Sequence, residues 1–153
     1  MAESSATELP GLHVQVPLRW ADMDAYGHIN NANIVRLMEE ARIAALGVPG
    51  GTGAAGIEAA LDLFGAVPEG TQVLIVEHTI RYRRPLEYRN MPTPVRVWVE
   101  KIAGASVVLG YSFTDAEDGA ECVRATSTLA FVHQGRPQRI NAQQRELLEP
   151  YLA

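Results

Sequence analysis

The chain has 153 residues and a mass of 16.6 kDa, with 47% hydrophobic and 20% charged residues, a balance that fits one ordinary globular domain and excludes general disorder. A formal net charge of −5 argues against a nucleic-acid binder, and no apolar run reaches the length of about 18 residues that a membrane span needs. The single cysteine, Cys122, excludes an intrachain disulfide and a multi-cysteine zinc site, and Glu3 and Glu8 stand where a signal peptide would carry basic and apolar residues, so a soluble cytoplasmic protein is expected.

Residues 1–12 read as a loose, polar segment ahead of a single domain over 13–153. Partial alternation (Val14, Val16, Leu18) predicts a strand over 13–20, and the Asp-, Asn- and Gly-rich stretch 21–30 predicts a loop. Ile34, Leu37, Met38, Ala41 and Ala45 then recur at the spacing of one helix face, predicting a helix over 31–46. Asn30 or Asn31 would cap it and Gly47 with Pro49 would end it. Its polar residues are few (Arg36, Glu39, Glu40, Arg42), so burial over most of its circumference is expected. The Gly- and Ala-rich segment 50–70 reads as a loop with a short helix over 54–64. Strands are predicted over 73–83, 95–102, 106–114 and 122–132, the last three joined as antiparallel hairpins, and a final helix over 141–151 opens on a capping box between Asn141 and Gln144. One apolar helix beside an antiparallel sheet is an α+β layer arrangement.

Several motifs fail their context tests. Gly51, Gly53 and Gly56 spell a dinucleotide fingerprint, but a helix precedes them instead of a strand, and no acidic residue stands between Glu69 and Glu77 to meet a ribose. The histidines (His13, His28, His78, His133) show no metal-ligand spacing, so no metal is expected, and Cys122 reads as a small packed residue within a strand.

The informative stretch is RWADMDAYGHINN, residues 19–31. Asp, Gly and Asn suit turns and caps in their own right. The same residues also lie at a helix N-terminus, where unpaired backbone N–H groups point outward and can stabilise an oxyanion. A carboxylate there can attack an acyl carbonyl or activate water against it, which points to acyl transfer.

On Trp20, Asp22, Asp24, Gly27, His28, Asn30 and Asn31, followed by Glu39, Ala41 and Arg42, the chain resembles the hotdog-fold thioesterases of the 4-hydroxybenzoyl-CoA thioesterase-like group. The strand with Tyr82, Arg83 and Pro85 and the three strands after it follow in that family's order. The resemblance implies a curled antiparallel sheet of about five strands wrapped around one long central helix, and a homodimer or homotetramer with sites at the subunit interface. It implies hydrolysis of an acyl-CoA, or of an acyl-carrier-protein thioester, without a cofactor beyond the CoA of the substrate. Asp24 would be nucleophile or general base, the Asn31 amide the oxyanion donor, and His28 a participant. Asn30, Ile34, Leu37 and Met38 would line the substrate site, and the group Arg81, Arg83, Arg84 and Arg89 would meet the CoA phosphates, with Arg81 and Arg83 on one face of their strand. The chain departs from the related plant carrier-protein enzymes at Tyr26, where they have asparagine, and at Pro85, where they use glutamate. A second hotdog lineage carries its carboxylate on the helix, which brings in Glu39 and Glu40; Glu40 is spaced to pair with Arg36. Hotdog hydratases and non-catalytic acyl-CoA binders are the rival readings.

Overall fold

The computed structural model describes residues 8–49 and 58–153. The glycine fingerprint and part of the expected 54–64 helix lie outside them, as do residues 1–7. From residue 58 to 64 the chain runs in bends and turns and forms no helix.

The first strand, β1, spans Leu12–Val16 and stops early because Pro17 has no N–H for the ladder. The segment expected to extend it forms a 3-10 turn over Trp20–Asp22 instead. The helix, α1, covers Asn33–Leu46. It starts two residues later than predicted because the Asn30 carboxamide accepts from the Ala32 N–H at 3.0 Å, which closes a turn ahead of the helix. At its other end Gly47 has φ 77° and donates to Ile43, the positive-φ stop that the sequence signalled.

The long strands β2 (Gln72–Tyr82), β3 (Thr93–Ile102), β4 (Ser106–Thr114) and β5 (Glu121–His133) follow. A short β6 (Arg136–Pro137), absent from the sequence reading, folds back on β5 through Gln134 and Gly135, both at positive φ as a two-residue hairpin turn requires. The helix α2 (Ala142–Leu148) opens on the expected box, with the Asn141 side chain accepting from the Gln144 N–H and the Gln144 side chain accepting from the Asn141 N–H. It gives way to a 3-10 turn over Glu149–Tyr151, where Pro150 removes a donor.

Every pairing between these strands is antiparallel, in the order β1-β3-β4-β5-β2. The inward residues of β4 and β5 (Leu109, Tyr111, Phe113, Ala125, Leu129, Phe131) form the core with the Ile34, Leu37, Met38, Ala41, Ala45 and Leu46 face of α1. The helix is buried on that face alone; Val35, Arg36, Glu39 and Glu40 are exposed, so the expectation of burial over most of its circumference is corrected. Of the strands, β1 and β3 lie nearest to α1, and β2, at the edge beyond β5, has no fully buried residue. Among the described residues no helix is long and apolar enough to cross a membrane.

Candidate active site

The stretch 19–31 folds into a small hairpin that delivers its side chains to the N-terminus of α1. Met23 pairs with Ile29, and the Asp24 N–H donates to the His28 carbonyl at 2.7 Å. Gly27 closes the turn at φ 78°, a conformation that strains any residue with a β-carbon, and donates to the Asp24 carbonyl at 3.2 Å. The next strand-like segment anchors the hairpin: Ile29 donates to Leu86 at 2.7 Å and Tyr88 donates to Gly27 at 3.0 Å.

The two aspartates of the motif part company here. Asp22 is buried, its side chain 1% exposed, and accepts from the Arg19 backbone at 2.8 Å and the Arg19 guanidinium at 2.9 Å. Burial pushes its carboxyl up, but the hydrogen bonds and charge of Arg19 outweigh that and hold it below the usual carboxylate range. Its carbonyl receives the Asn30 N–H and the Asn33 side chain, so this residue fastens the loop to the helix. Asp24 is half-buried. Its Oδ1 accepts from the Tyr26 and His28 N–H groups at 2.8 and 3.2 Å, while Oδ2 has no partner among the described residues.

Asp24 lines a cleft of about 460 Å³ together with His28, Ile29, Asn31, Ile34, Tyr82, Arg83, Arg84, Pro85, Leu86 and Val123. Two strand ends and the helix start meet there. The Tyr82 hydroxyl, at the last residue of β2, donates to the Asn31 carbonyl at 3.0 Å and ties sheet to helix. The Asn31 N–H has no hydrogen-bond partner among the described residues, whereas the next N–H, of Ala32, is taken by Asn30. The cleft therefore holds a carboxylate with one free oxygen and a free amide at the head of a helix, the two elements that attack on a carbonyl requires.

Of the residues singled out in the sequence, Asp24, His28, Asn31, Ile34 and Arg83 line this cleft. Asn30 does not; it caps the turn before α1. Leu37 and Met38, expected at the substrate, are 3% and 1% exposed because they lie on the core face of α1. Arg81 points from the opposite face of β2 to Tyr82, since strand side chains alternate, and stays exposed. Arg83 lies beyond the end of β2 and pairs with Glu121 at 3.1 Å, so the two arginines do not share a strand face. Arg84 and Arg89 are engaged by Asp115, Arg84 also by Asp118 at 2.7 Å and Arg89 by Glu117 at 2.6 Å. On α1 the pair within 4 Å is Glu39–Arg42 at 3.7 Å instead of Arg36–Glu40, and neither glutamate lines the cleft. Cys122 is fully buried, and burial raises its thiol.

The sequence reading missed Tyr82, Leu86 and Val123 as cleft residues. The signal for Tyr82 was its place at the C-terminal end of an alternating strand, though nothing local to it indicates that this end meets the helix start. Among the described residues no three His, Cys, Asp or Glu side chains gather as a metal ion would need.

A family model described as "Thioesterase-like superfamily" matches residues 18–149. No curated protein matches the chain. Solved structures do. YbaW, a probable thioesterase from Escherichia coli, is 22% identical, with 93% of this chain and 99% of that chain covered and a TM-score of 0.68. A thioesterase from Thermus thermophilus, complexed with coenzyme A and Zn, is 22% identical over 93% of this chain and 95% of its own, with a TM-score of 0.69. The PA5185 protein from Pseudomonas aeruginosa is 19% identical over 95% and 94%, with a TM-score of 0.74. At these identities the likeness establishes the fold, the hotdog arrangement that the sequence resemblance implied.

Proposed function

The chain belongs to the thioesterase-like superfamily, a family of thioester hydrolases, and from that membership we propose that it cleaves an acyl-CoA to free acid and CoA in the cleft at the head of α1. The observation that carries the reading is the pairing of the free Asp24 Oδ2 with the free Asn31 N–H in one cleft. In this reading the thioester carbonyl rests on the Asn31 amide. Asp24 attacks it, or takes a proton from the water that does, and the thiolate of CoA leaves. The Tyr26 and His28 N–H bonds to Oδ1 hold the carboxylate in place and leave Oδ2 for the substrate or water, and His28 shapes the wall. In this reading Arg83 and Arg84, which line the cleft, meet phosphates of CoA. A CoA ester is the favoured substrate class because a thioesterase of this fold is complexed with coenzyme A.

A second copy completes the assembly in this proposal. β2 is an 11-residue edge strand with Leu74, Ile75 and Val76 exposed at 48%, 37% and 65%, an apolar edge that soluble proteins rarely leave uncovered. Light scattering should therefore return the mass of a dimer or a tetramer; a monomer at micromolar concentration would remove this part.

The deciding experiment is thiol release from a panel of acyl-CoAs, short to long and aromatic, with Asp24→Asn alongside and an acyl-carrier-protein thioester as a further substrate. Release that collapses in the variant, with its circular dichroism unchanged, is the expected result. Full activity of Asp24→Asn would overturn the assignment, and tight binding without release would make the protein an acyl-CoA binder.

A further inference from the structure

A second group of polar side chains lies on the inward face of the sheet, away from the cleft. His78 on β2 and Ser127 on β5 are directly paired, and the His78 Nδ1 is 2.8 Å from the Ser127 Oγ. Ser127 is 1% exposed, on the inward face of β5 that also carries Val123, Ala125 and Leu129. Tyr111 on β4 is opposite Ala125, hence diagonal to Ser127 on the same face; it is fully buried, and its hydroxyl has no hydrogen-bond partner among the described residues. From the helix side comes Arg42, only 13% exposed and held by Glu39 alone among the described residues.

Register connects this group to the cleft. Along β2 the inward residues run Tyr82, Ile80, His78, backed on β5 by Val123, Ala125 and Ser127 in direct pairing. Along α1 the matching row is Ile34, Met38, Arg42, four residues apart on one face. Tyr82, Val123 and Ile34 line the cleft. The far ends meet: Arg42 and Glu39 are near enough to the His78 ring to act on its charge, and burial, reinforced by Arg42, lowers the imidazole from its ordinary value so that it is neutral at pH 7. Four residues of strand span about 13 Å and eight of helix about 12 Å, so the two rows run equally far from the Asp24 end. The intervening stretch is apolar, and Ile80 and His78 keep accessible surface.

We infer that the acyl group taken by this cleft carries a hydroxyl or oxo oxygen far from the thioester, received by the His78 ring at the polar end of the row that runs from Tyr82 through Ile80. Ser127 holds Nδ1, which orients the ring and leaves Nε2, without a partner among the described residues, to meet the ligand. A plain alkyl chain of the same length would leave that nitrogen and its polar neighbours desolvated and unpaired, and discrimination follows from that loss. The inference rests on the hydrolase reading and specifies its substrate.

The test compares kcat/KM for a saturated medium-chain acyl-CoA and for its counterpart of equal length with a hydroxyl or oxo group near the chain end. The wild type should favour the oxygenated chain by at least about tenfold. His78→Leu should bring the ratio close to one, His78→Gln should keep part of it, and Ser127→Ala should lower it several-fold. The ratio is the readout, so a general loss from poor folding does not imitate the result. Equal use of the two chains by the wild type, or a preference that survives His78→Leu, overturns the inference and leaves the hydrolase reading intact. No thiol release from any ester overturns that reading, and this one with it.

Discussion

Asp22 and Asp24 stand two residues apart on one hairpin, and their surroundings are opposite. Asp22 spends both oxygens on Arg19, is sealed from solvent, and gives its carbonyl to the helix head. Asp24, which lines the cleft, spends one oxygen on its own loop and leaves the other without a partner among the described residues. A carboxylate whose hydrogen-bonding capacity is used up fastens a structure, and one with an unused oxygen beside an unused amide can do chemistry. In the proposed reading the D-x-D pattern holds both roles, the first aspartate fastening the hairpin to the helix head and the second facing the chemistry.

Substitution separates the two roles. The largest effect expected is on catalysis: Asp24→Asn should lower kcat/KM by about 10²–10⁴ with little change in the urea midpoint. Replacing the residue 31 amide by an ester, which removes the N–H and keeps every side chain, should cost about 10²-fold in kcat with KM changing less. Asp22→Asn should do the reverse. It weakens two hydrogen bonds at a buried carboxylate, one from a guanidinium, and should destabilise the fold by about 2 kcal/mol in urea titrations while the folded enzyme retains turnover. A stable Asp22→Asn protein without activity would reverse the assignment of the two aspartates.

Acid sharpens the same contrast. The Asp22 carboxyl lies below its unfolded value in the folded chain, as does that of Asp115, where burial raises the carboxyl but loop N–H groups and Arg89 prevail. Such groups bind fewer protons folded than unfolded, so their stabilisation is fully present above the ordinary aspartate pKa of about 4 and fades as pH falls through the lower folded value. The unfolding midpoint should drop below about pH 4, and the drop should be smaller in Asp22→Asn. The smallest effect expected is at Tyr82→Phe, which removes the hydroxyl bond to the Asn31 carbonyl at an exposed site and should cost a few-fold in kcat/KM.

Much of this molecule was legible along the chain because its signals are local. The face of α1, its Gly47 stop, the Asn141 box and the antiparallel hairpins of β3, β4 and β5 depend on residues a few positions apart, and each formed as its spacing predicts. Errors cluster where a local pattern has two outcomes. Leu37 and Met38 read equally well as pocket or core, and packing against the sheet made them core. Arg81 and Arg83 share a face only while the strand continues, and β2 ends at Tyr82.

Residues near one another along the chain specify the long strands, both helices, the antiparallel class and the loop that bears Asp24, because dihedral preference, periodicity and capping act within one or two turns. Tertiary structure decided which aspartate keeps a free oxygen, which end of β2 meets the head of α1, and that His78, Tyr111 and Ser127 share a face. Those facts depend on the register between strands distant in sequence and on which half of the sheet the helix covers. Only the burial of the whole apolar surface at once selects that arrangement.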